Sequence, residues 1–91
     1  MQNYLVTLYA DAPSDDDVTV NTRAQAPVHA AALALLKFKR MGRILSDEAM
    51  IGVRDEASEV TPLYVGDIVS WLRRTEDGRL FGAVQGLEEL M

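Results

Sequence analysis

The chain has 91 residues, a single histidine (His29) and no cysteine, so few of its side chains can move protons or attack bonds. A lone imidazole works as a general acid or base only beside a hydroxyl or carboxylate partner. No serine or acid stands at a spacing from His29 that points to one, and a surface or boundary histidine is the expected reading. The six glycines are scattered. None of them opens the glycine-rich turn into a basic-hydroxyl pair that cradles phosphate. Asp15, Asp16 and Asp17 offer oxygen ligands for Ca²⁺ or Mg²⁺, but in an unbroken run without the spaced loop of a dedicated site. Solvated loop acids are expected there. Without cysteine there is neither a thiolate metal site nor a disulfide framework. The chemistry points away from an enzyme, with no catalytic residue, metal or cofactor expected.

What remains is binding. Lys37, Lys39, Arg40 and Arg43 gather at one point of the chain, and Arg73, Arg74 and Arg79 at another. Were they to meet in space, they would form a phosphate-binding strip, with Tyr9, Trp71 or Phe81 available to stack on bases. The plainer reading is that the first group opposes a helix dipole and the second pairs with Glu76 and Asp77. The net charge of −5, from 14 acids and 9 bases, disfavours nucleic acid on average. Protein contact is the leading reading. Leu33 and Leu36 lie off the main apolar helix face, and Leu5 with Tyr9 gives the first strand a second apolar side. Such excess is either another packing layer or an exposed patch, and a homodimer would satisfy both. Acidic loops, Asp15 to Asp17 above all, would steer a basic partner to that patch.

The elements that must position these residues are legible in part. At 48% hydrophobic and 25% charged, the chain has the composition of one folded domain. Tyr4-Leu5-Val6-Thr7-Leu8-Tyr9 reads as a strand over residues 3–10, apolar on both sides and so expected to be covered on both. Residues 11–17 read as a loop, and Val18 to Ala24 as an alternating second strand that closes an antiparallel hairpin. From Pro27 to Met41 the spacing of Val28, Ala31, Ala32, Leu35 and Phe38 is that of one helical face. Proline suits the first helical turn, and Gly42 the position just past the end. Residues 49–54 read as a third strand. Pro62 limits residues 59–65 to an edge strand.

Beyond Gly66 two readings compete. Asp67 can cap a short helix carrying Ile68, Trp71 and Leu72. Alternatively, residues 67–74 and 79–84 form a hairpin around Asp77-Gly78, a pair favoured in two-residue turns. The hairpin is preferred, and the expected fold is α+β, a small antiparallel sheet packed against one main helix in the order β-β-α-β-β-β. Leu87 to Met91 would add a frayed helical turn. The N-terminus has no basic stretch and no apolar run approaches membrane-spanning length. Neither a secretory leader nor a membrane partner is expected, and the cytoplasm is the expected compartment.

Val65-Gly66-Asp67-Ile68-Val69-Ser70-Trp71, followed by Asp77-Gly78-Arg79-Leu80-Phe81-Gly82-Ala83-Val84, resembles a hairpin of small SH3-like or Tudor-like barrels. That resemblance implies a Gly-Asp turn into a strand whose apolar residues line a sheet, although the long helix departs from such barrels. In size, acidity and lack of cysteine the chain is similar to small accessory proteins of phages and mobile elements. This likeness carries no residues. It implies an inhibitor of a host system, anti-CRISPR-like in kind, as the sharpest form of the protein-binding reading.

Overall fold

A computed structural model describes residues 1–9 and 16–90 of the chain. Strands β1 (Gln2–Leu8) and β2 (Val18–Ala24) are followed by helix α1 (Pro27–Arg40), strands β3 (Met50–Arg54) and β4 (Val60–Tyr64), helices α2 (Val65–Arg74) and α3 (Glu76–Gln85), and a 3₁₀ turn at Glu88–Leu90. The strands form one antiparallel sheet in the order β2-β1-β3-β4. The fold is α+β, as expected.

Strand alternation divides the sheet into two faces. Tyr4, Val6, Leu8, Thr22, Ala24, Ile51 and Val53 point inward and are buried. Leu35 and Phe38 of α1 pack on them, joined by Ile68 and Leu72 of α2 and by Leu87. Each large side chain buried this fully contributes on the order of 1.5–3 kcal/mol. Thr22, the buried polar residue, has its hydroxyl within 3.4 Å of Lys37 Nζ, which also donates to the Asn21 carbonyl at 2.8 Å. Proline occupies the first position of α1, and the helix stops where Gly42 takes a φ of 84°. There the Gly42 and Arg43 amides donate to the Lys39 and Phe38 carbonyls at 3.0 and 3.1 Å. β4 lies at the sheet's edge, where the missing N–H of Pro62 is tolerated.

Three expectations need correction. β1 is an interior strand, but only one of its sides is covered: the helices gather over Tyr4, Val6 and Leu8, while Leu5 is exposed on the other face. Leu36 belongs to the core at 8% exposure, and Leu33 packs half-buried against it. The reason is that α1 is enclosed between the sheet and α2, so Ala30, Ala31, Ala32 and Ala34 are buried around it as well.

The third concerns the C-terminal hairpin, which is a pair of helices, so the order ends β-β-α-α. Val65, Ile68 and Leu72 recur at helical spacing and all three are buried. Thr75 breaks the chain between α2 and α3, its hydroxyl donating to the Trp71 carbonyl at 2.6 Å and accepting the Gly78 amide at 2.9 Å. Gly78 serves no β-turn. It sits in the first turn of α3, where a Cβ would run into the Trp71 carbonyl. Close approach of two helices, rather than strand reversal, requires the glycine.

Candidate functional site

The open side of the sheet carries Asn3, Leu5 and Thr7 of β1, Thr19, Asn21 and Arg23 of β2, Met50, Gly52 and Arg54 of β3, and Val60, Pro62 and Tyr64 of β4. The register sets Leu5 beside Arg54, Arg54 beside Val60, and Met50 beside Tyr64. Tyr9 follows directly on β1, its amide donating to the Met50 carbonyl at 3.2 Å, and its ring lies across Gly52. Thr7 and Thr19 share a hydroxyl hydrogen bond of 2.8 Å on the β2 side of the face. Around them is a shallow depression of about 210 Å³. Leu5, Tyr9, Met50, Val60 and Tyr64 are between 38 and 48% exposed. An antiparallel sheet open to water on one side ordinarily alternates apolar-in with polar-out. On its β3–β4 side this face does not.

Acids stand at both ends of it. Asp16 and Asp17 are exposed just before β2, and Glu56 and Glu59 are exposed in the turn joining β3 to β4. The Asp55 carboxylate holds that turn by accepting the Ala57 and Glu59 amides at 2.9 and 3.0 Å, and Glu56 accepts the Asn3 amide at 2.9 Å. Asp15 lies outside the described residues.

A second apolar surface lies among the helices. His29 of α1 stacks on Phe81 of α3 with ring centres 4.3 Å apart, and Trp71 of α2 leans on both at 5.6 and 5.7 Å. Leu80 and Val84 extend the patch along α3 at 65 and 72% exposure. The imidazole is thus a half-buried stacking partner at a helix boundary. Among the described residues no group of three or more His, Asp or Glu is placed to hold a metal ion. Nor is any helix among them long and apolar enough to cross a membrane.

The two basic groups meet only in part. Lys39, Arg43 and Arg73 line one cleft, and Lys39 Nζ donates to the Glu89 carbonyl at 2.8 Å. Lys37 is tied to β2 through Asn21. Arg40, Arg74 and Arg79 are exposed and lie outside the lining of that cleft. Of the contact residues expected from sequence, Tyr9 is on the open face and Asp16 and Asp17 border it, whereas Leu33 and Leu36 belong to the helix layer. Met50, Val60 and Tyr64 were not anticipated. Outward alternation from Ile51 was a signal for Met50; the other two become neighbours only once β4 pairs with β3.

No family model matches the chain, and neither does any curated protein or any solved structure.

Proposed function

We propose that this chain is a non-enzymatic protein-binding module whose contact surface is the open face of the sheet. One observation carries the reading: Leu5, Tyr9, Met50, Val60 and Tyr64 are held in water on a rigid sheet where polar residues would be expected. Strands about 4.8 Å apart, rising about 3.3 Å per residue, give the face a plan of about 19 by 20 Å. The apolar side chains take up the β3–β4 side of that plan together with Leu5 and Tyr9, and an exposed apolar patch on a monomer is often a contact site. A standard interface takes about 800 Å² from each partner. The acidic ends of the face therefore belong to the contact too, and the complementary partner is an apolar patch edged by lysine or arginine. The short, acidic, cysteine-free composition supports a sharper form, inhibition of a host system by a phage or mobile-element protein.

The test is affinity capture with the wild-type chain, a Val60→Glu/Tyr64→Glu variant and a Leu80→Glu control. A stoichiometric partner held by wild type and control but lost by the sheet variant is the expected result. A partner indifferent to the sheet variant and lost by the control would refute the assignment of the surface.

A further inference from the structure

Lys39 near the end of α1, Arg43 just beyond it and Arg73 in the last turn of α2 reach a single cleft of about 280 Å³. Its walls are fixed by backbone bonds. The Arg43 amide donates to the Phe38 carbonyl at 3.1 Å. The Val65 and Gly66 amides at the start of α2 donate to the Ala49 and Asp47 carbonyls, each at 2.9 Å. A Cβ on Gly66 would stand 2.9 Å from Asp47, so the loop lies directly against the helix. Leu45, Val65, Val69 and Leu90 supply the apolar part of its lining, and Val65 and Leu90 are buried beneath it. The volume falls just below the threshold of about 300 Å³ at which pockets for drug-sized ligands start, so only a small ligand fits.

We infer that this cleft binds a compact anion, a carboxylate or phosphate group carried on a small apolar body. Two guanidinium groups arriving from different elements offer planar donor pairs to an anionic head. Lys39, held by the Glu89 carbonyl, adds a fixed positive charge. The apolar lining rewards a ligand that carries carbon behind its charge. A nucleic-acid backbone fits less well, because the lining holds three cations beside Asp47 and Glu89, a small net positive charge that suits a single anionic group. The remaining exposed arginines, Arg40, Arg74 and Arg79, do not continue the lining. The geometry serves one anionic group rather than a chain of them. This site is independent of the sheet face.

The test is a titration of ¹⁵N-labelled protein with phenyl phosphate and with benzoate, followed by two-dimensional NMR. Inorganic phosphate and a short single-stranded oligonucleotide are titrated in parallel. Saturable shifts at Arg43, Val69 and Arg73 with either aromatic probe are expected, and the tighter of the two identifies the head group. Inorganic phosphate should bind at least about fivefold more weakly, because it leaves the apolar lining wet. Arg73→Gln, an exposed change that leaves the core untouched, should weaken the aromatic probe about tenfold. The inference is overturned if neither aromatic probe saturates by tens of millimolar, or if Arg73→Gln binds like wild type. It is equally overturned if inorganic phosphate binds as well as the aromatic probes, or if the oligonucleotide binds more tightly with a steep salt dependence.

Discussion

The ring of Tyr9 lies over Gly52 so closely that a Cβ at Gly52 would stand 2.5 Å from the tyrosine hydroxyl oxygen and 3.2 Å from two ring carbons. A strand glycine leaves its backbone bare and its flanking strands without a side chain to pack on. Tyr9, just past the end of the neighbouring strand β1, covers that gap. The relationship also holds an aromatic ring on the open face, against Gly52 of β3.

Gly52→Ala should therefore displace Tyr9 without unfolding the sheet. The hydroxyl is the free end of a flexible side chain and can swing away, and alanine lowers the entropy of the unfolded chain by a compensating amount. Stability in urea should change by less than about 1 kcal/mol, while the Tyr9 ring resonances move toward exposed values. Unmoved resonances would show that the ring does not rest on Gly52.

Gly78→Ala reverses the usual rule for a helical glycine. In an unobstructed helix the change stabilises by about 0.5–1 kcal/mol. Here the new methyl group meets the Trp71 carbonyl, a backbone atom that cannot turn aside. Forcing α3 off α2 should cost about 1–3 kcal/mol, read as a lower urea midpoint. A raised midpoint would mean that the two helices are not apposed in this way.

Thr75 joins the same helices through one hydroxyl, which caps α3 at the Gly78 amide and ties it to Trp71. Thr75→Ala should lose about 1–2 kcal/mol of stability. Thr75→Ser keeps the hydroxyl and should recover most of it. Equal melting temperatures for the two variants would remove the hydroxyl from the account.

Much of this architecture was legible because periodicity is a local property. Val18, Val20 and Thr22 alternate, Leu35 and Phe38 recur at helical spacing, and Pro27 and Gly42 mark the helix ends as their backbone chemistry requires. The C-terminal third misled because Asp77-Gly78 has the composition of a tight turn. In the structure, the acids of Glu76-Asp77 stand in the first turn of a helix capped by Thr75, and the glycine answers to a carbonyl on another helix. Sequence spacing holds no record of that approach. The proposed contact surface was half legible for a related reason. Tyr9 and the second apolar side of β1 were visible, but whether anything covers that side depends on where the helices gather. The helices gather on the other side, and Leu36, for which packing layer and exposed patch were both open, is enclosed by them.

Leu35→Ala gauges how completely the α1 side chains are enclosed. Leu35 is fully buried, so the truncation should cost about 2–5 kcal/mol in chemical denaturation. A loss below about 1 kcal/mol would indicate that the helix layer repacks freely, contrary to the tight alanine-rich seam seen around α1.

The central claim, that the open sheet face makes the contact, is tested most directly by methyl NMR of the protein alone and with its captured partner. The account predicts that the methyl groups of Leu5, Met50 and Val60 shift or broaden on binding while those of Leu80 and Val84 stay in place. Shifts at Leu80 and Val84 with the sheet methyls unmoved would contradict it.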